Sequence, residues 1–142
     1  MTFWDSSALL PLFVEEARSA RCRQLRRVHH VIAIWTMSSI ELFSGLHRLV
    51  REGLLTANAL HDATRRVERF LVTATVVETI DPVKDRALRI LGLHPVSAAD
   101  SLQLAAALAL VEDRPRHRWF VTADDRLATA AEREGFSVAV PS

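Results

Sequence analysis

Cysteine, lysine, glycine and tyrosine are scarce or missing in this chain, and each shortage closes off a class of explanation. Cys22 is the only cysteine. No disulfide can form within the chain, and no cysteine-based zinc site can be built. A lone thiol fits a reducing compartment, so a cytoplasmic location is expected. Four glycines leave no Walker A loop, no dinucleotide fingerprint and no Gly-x-Ser-x-Gly elbow. The first residues carry an acid at Asp5 and no basic stretch, unlike a signal peptide. Uncharged runs such as Val28 to Ile40 fall well short of the roughly 18 residues of a membrane span, so no membrane partner is expected. Net charge is only +1, so there is no global polyanion signal. Of the 18 basic residues all but Lys84 are Arg. Arg forks suit phosphate, although genomic base composition produces the same bias.

What is present is an ordinary globular composition, 49% hydrophobic and 25% charged over 142 residues. That length argues for a single domain, residues 1–142. Apolar β-type runs predict strands at 2–4, 28–35, 73–80, 119–122 and 136–140. Helical spacing predicts helices from Ser6 to about Glu16, then over 18–28, 38–51, 54–71, 81–91, 97–111 and 127–134. Gly92 and Gly135 are read as stops. Strands alternating with helices imply an α/β fold: a mostly parallel sheet of four to five strands with helices on both faces. Trp4, Trp35 and Trp119 each flank a strand and read as core rather than as base-stacking platforms.

Four carboxylates stand in otherwise apolar stretches: Asp5, Glu41, Asp100 and Asp124. Each falls at a junction between a buried element and a helix start. Open α/β sheets build their sites outside the carboxyl ends of the strands, so one sheet edge would gather all four. Two like charges about 5 Å apart repel by roughly 3 kcal/mol at an effective dielectric near 20. Acids held together therefore call for a cation, and hard ions such as Mg²⁺ take oxygen ligands. Each acid also has a plainer reading as a helix cap. Ser38-x-x-Glu41 has the form of a capping box, and Ser97-x-x-Asp100 a looser form of it. Capping does not account for the company these acids keep. Asp100 opens a helix with almost no polar face, where a lone Asp is rare unless paired or metal-bound.

Other signals are weaker. His29 and His30 are adjacent, and neighbours on a strand point to opposite faces. The clusters Arg21, Arg23, Arg26, Arg27 and Arg114, Arg116, Arg118 read as solvated faces or as nucleic-acid contacts. Leu46, Leu49, Leu60 and Phe70 on the 38–51 and 54–71 helices are candidates for a groove or dimer face, against plain packing on the sheet.

The segments WDSSALLPLFVEE, SSIELFSGL, HPVSAADSLQLAAAL and FVTADDRLATAAEREGF, in this order, resemble the PIN domain, most closely the VapC-type toxins of toxin–antitoxin pairs. The resemblance spans the whole chain and implies a PIN-like fold. Residue by residue, Asp5, Glu41, Asp100 and Asp124 match that family's acidic site. Ser7 and Thr122 match its supporting polar residues. Ser101 stands where the family usually has Ala. Asp125 follows Asp124 and is a possible additional acid; the Thr-x-Asp spacing favours Asp124. The resemblance implies Mg²⁺- or Mn²⁺-dependent cleavage of RNA, a homodimer, and inhibition by a cognate antitoxin. Asp5, Asp100 and Asp124 are the expected metal ligands, with Glu41 ligating or orienting the attacking water. Two competing readings stand beside this one. The first is a module of the same fold that binds RNA or a partner without cutting. The second is a phosphoacceptor receiver domain, which would need an acid pair after the first strand where only Asp5 stands.

Overall fold

Five short apolar runs become parallel strands in the computed structural model, which describes residues 1–142. They are β1 (Thr2–Trp4), β2 (Ile32–Trp35), β3 (Thr75–Val77), β4 (Trp119–Val121) and β5 (Ser137–Ala139), in sheet order β3-β2-β1-β4-β5. Every pairing is parallel, with Thr2 opposite both Ile32 and Trp119. The connecting helices are α1 (Ser6–Leu9), α2 (Ser19–Val28), α3 (Ser38–Arg51), α4 (Ala57–Thr73), α5 (Asp81–Leu93), α6 (Ala98–Leu110) and α7 (Asp125–Glu134). No helix is long and apolar enough to cross a membrane.

The strands are apolar throughout because both faces are covered, and successive side chains divide between two cores. Phe3, Ala33, Trp35 and Phe120 join Ile90, Leu104 and Leu127 on the α5–α6–α7 face. Trp4, Ile32, Ile34 and Val121 join Leu9, Leu42, Val67 and others on the α1–α4 face. Between Phe3 and Trp4 the chain switches faces, so Asp5 is delivered to the end of β1 between the two layers.

Several sequence-derived boundaries shift, each for a local reason. The first helix ends at Leu9 and continues only as a 3₁₀ turn, Leu10–Leu12. Pro11 has no N–H to give to the carbonyl four residues back. The strand expected from Val28 begins at Ile32, since α2 keeps Val28. The helix expected at Leu54 starts at Ala57, where the Thr56 hydroxyl accepts from the Ala59 amide at 3.1 Å. Its extension to Thr73 shortens the strand expected over 73–80 to Thr75–Val77. Gly92 does not stop α5; the helix ends at Leu93, because His94 precedes Pro95 and is held extended. Leu46 and Phe70 are buried in the core, while Leu49 and Leu60 are partly covered. Trp119 is 41% exposed, unlike Trp4 and Trp35.

Candidate functional site

The four acids converge. Asp5, Glu41, Asp100 and Asp124 line one cleft of about 400 Å³ at the carboxyl ends of the strands, together with Ser6, Ser7, Ser44 and Arg48. Asp125 is exposed and outside this lining, so Asp124 is the fourth acid of the cleft.

Asp5 is fixed most firmly. It caps α1, its Oδ2 accepting from the Ser7 amide at 3.3 Å. The Ser7 hydroxyl donates to the same oxygen, and the Thr122 hydroxyl donates to it at 2.9 Å. Both hydroxyls also accept backbone amides from the β4–α7 connection: Ala123 N–H to Ser7 Oγ at 2.9 Å and Asp124 N–H to Thr122 Oγ1 at 3.0 Å. Ser7 and Thr122 thus tie the loop that carries Asp124 to the carboxylate of Asp5. Asp124 caps α7, its Oδ1 accepting from Leu127 N–H at 2.9 Å. Asp100 sits in the first turn of α6, where the Ser97 hydroxyl caps its amide at 3.1 Å.

Glu41 is held differently from the capping box its spacing predicts. Ser38 lies inside α3, whose N-cap is Met37 with no side-chain cap. Glu41 instead accepts from Ser6 Oγ at 2.7 Å and from Gln103 Nε2 at 2.8 Å. Gln103 Nε2 also donates to Ser38 Oγ at 3.0 Å. Capping is satisfied for Asp5 and Asp124 without removing them from the cleft, since each uses one oxygen for the helix.

Sequence reasoning missed Gln103, Ser6 and Arg48. Gln103 is completely buried, and its signal was available: it is the one amide in an Ala/Leu-rich helix, three residues after Asp100 and so on the same face. Arg48 is the only cation of the cleft lining. Its ion pair with Glu52 is long, 4.0 Å, and both side chains are more than half exposed, so the pair holds it only weakly.

The electrostatics follow the crowding. Burial pushes the Asp5 carboxyl up to about 6; the Ser7 and Thr122 hydroxyls pull it down, and the charges of Asp100 and Glu41 push it up further. Asp100 is raised as well, first by burial, then by Asp124, with Glu41 adding to it against the Ser97 bond. The donor set is all oxygen, hard and anionic, which fits Mg²⁺ or Mn²⁺ and not a soft metal. The four acids do not form a ready-made group of three metal ligands.

No family model matches the chain, and no curated protein matches it. Solved structures do. FitAcB from Neisseria gonorrhoeae superposes with a TM-score of 0.70 at 16% identity, covering 99% of this chain and 98% of the other. A toxin-antitoxin complex from Klebsiella pneumoniae gives 0.67 at 15% identity, covering 100% and 98%. PAE2754 from Pyrobaculum aerophilum gives 0.66 at 16%, covering 96% and 87%. Identities this low speak for the fold, and the fold is the PIN-like α/β architecture expected from the sequence.

Proposed function

We propose that this protein is a metal-dependent endoribonuclease, the toxin of a toxin–antitoxin pair. The observation that carries the reading is the convergence of Asp5, Glu41, Asp100 and Asp124, from four separate segments, on one cleft. A divalent cation at Asp5, Asp100 and Asp124 would neutralise charge at the scissile phosphate and lower the pKa of an attacking water. The chain's own part is positioning. Ser7 and Thr122 orient Asp5 and keep the Asp124 loop against it. Ser6 and Gln103 hold Glu41 with both oxygens engaged on defined partners, so that it orients the attacking water. Arg48 offers a guanidinium to the non-bridging phosphate oxygens. No side-chain nucleophile is required.

The toxin role draws support from the toxin-antitoxin complex among the structural neighbours. It also draws support from a larger groove of about 620 Å³ away from the acids, lined by Phe13, Val14, Leu49, Leu54 and Leu55 and rimmed by Glu15, Asp62 and Arg66. Such a groove suits an amphipathic segment of an antitoxin. A cytoplasmic homodimer is part of the same proposal.

A non-cutting binding module is the second reading, favoured by one observation: the acids do not by themselves form a closed three-ligand site. The test is cleavage of a mixed RNA pool by purified protein. Activity with Mg²⁺ or Mn²⁺ that disappears in EDTA and returns on re-addition supports the nuclease. Mg²⁺-dependent RNA binding without cleavage would select the binding module.

A further inference from the structure

We propose that the end of the sheet opposite the acidic cleft is a second contact surface for single-stranded RNA. In this proposal Trp119 is a stacking platform, and Arg27, Arg114, Arg116 and Arg118 are its phosphate contacts. The proposal rests on the ribonuclease reading, since it names how the substrate of that cleft is held elsewhere. Three observations carry it.

First, the fold joins two Arg clusters that are far apart in sequence. Arg27 lies exposed in the last turn of α2, while its neighbour Arg26 lies over the Phe70 ring. Arg114, Arg116 and Arg118 lead into β4. The ring of His29, two residues after Arg27, lies 5.0 Å from the ring of Trp119, one residue after Arg118. His29 is held there by Thr2, whose Oγ1 lies 3.0 Å from His29 Nδ1, and Thr2 is opposite Trp119 in register. All of these lie at the amino ends of the strands, so the surface is distinct from the cleft.

Second, three guanidinium groups there are unpaired, although the exposed Glu112 and the Arg86-bound Asp113 precede Arg114 in the same loop. No Asp or Glu occurs from residue 17 to 40 or from 114 to 123. Arg27, Arg114 and Arg116 are exposed and form no ion pair. The 112–118 loop is also prearranged. Arg86 clamps Asp113 at 2.7 Å, and the Arg118 amide donates to Pro115 O at 2.9 Å. His117 is held at φ 64°, a conformation a non-glycine residue keeps only where its surroundings dictate it.

Third, Trp119 is the one tryptophan left 41% exposed, the other two being nearly sealed. An exposed aromatic face among unpaired guanidinium groups is the combination that binds single strands: bases stack on the ring, and phosphates meet the cations. An acidic protein partner would be met by the cations but would leave the indole face without a matching planar group.

The test measures binding of a fluorescein-labelled 30-nucleotide oligouridylate in EDTA, where cleavage is suspended. Wild-type protein is compared with Arg27→Glu/Arg116→Glu and with a control pair at other exposed sites, Arg51→Glu/Arg133→Glu. The proposal expects the first pair to bind at least about 10-fold more weakly. Its log–log salt slope should fall by about 1.4, the share of two single-strand phosphate contacts. The control pair should change far less. RNA should quench tryptophan fluorescence in the wild type, and Trp119→Leu should lose that quenching. Equal losses in both pairs, or an unaltered affinity and slope in the first, would overturn the proposal. So would a shift in oligomeric state with RNA binding intact, which would make the surface a self-association face. Cleavage of the same RNA by wild type with Mg²⁺ is scored separately. Its absence counts against the nuclease reading, while the EDTA binding comparison still decides the platform.

Discussion

Asp5 shows most clearly that the site is built at the expense of the fold. Its pKa is raised from 3.8 to about 6, so folding disfavours the carboxylate relative to the unfolded chain. The stability tied to this group is therefore fully present below about pH 3.8 and is lost as pH rises through about 6. The loss at neutral pH is roughly 3 kcal/mol. Asp5→Asn should accordingly be more stable than wild type at pH 7.5 in EDTA, by up to that amount, and equal to it near pH 4. Urea melts across this range give the difference directly, and a constant difference with pH would contradict the assignment. Gln103 makes the complementary prediction. Gln103→Leu leaves the buried Ser38 hydroxyl unpaired and Glu41 without its Nε2 donor. Stability should fall by about 1–3 kcal/mol, and cleavage by about 10–100-fold, the usual effect of removing a residue that orients a metal-site carboxylate. Wild-type turnover in that variant would show that Glu41 needs no such support.

At the level of elements, two glycines that read alike in sequence have opposite roles. Gly135 ends α7 at φ 111°, and an added Cβ would meet Pro115 Cγ at 3.0 Å. Gly92 lies within α5 with open space around its Cα. Gly135→Ala should lower stability by about 1–2 kcal/mol, while Gly92→Ala should raise it by about 0.5–1 kcal/mol. Paired thermal melts check both signs. Legibility followed the same division between local and distant causes. The strand runs, α3 to the residue, and the caps at Ser97 and Asp124 were readable because their causes are local. The acids were readable because each stands alone in an apolar context. The Ser38–Glu41 capping box failed because Gln103, 62 residues beyond Glu41, claims both side chains. No local pattern exposes that pairing. Trp119 was legible as the first residue of its strand but not as exposed: no local pattern shows that it stays open while Thr2 beside it in register is buried.

For the whole molecule, the placement of charge and apolar area carries the functional argument. Acids gather at one end of the sheet, unpaired Arg at the other, and a groove lined by Phe13, Leu49 and Leu55 lies apart from both. Leu46 and Phe70 belong to the core, which leaves Leu49 and Leu60 of the expected face partly open. On α5, Leu88 is 62% and Leu91 42% exposed, one turn apart on one face. A twofold dimer at tens of micromolar is expected by light scattering. Leu88→Ser/Leu91→Ser should move it toward monomer, and a wild-type monomer at that concentration would remove the dimer from the account.

The central claim is that the cleft of Asp5, Glu41, Asp100 and Asp124 cuts RNA with a divalent cation. Its most direct test is Mg²⁺-dependent RNA cleavage by Asp100→Asn protein, compared with wild type at matched concentration and with its fold verified by circular dichroism. The account predicts a folded protein with cleavage abolished. Undiminished, EDTA-sensitive cleavage by folded Asp100→Asn would contradict it.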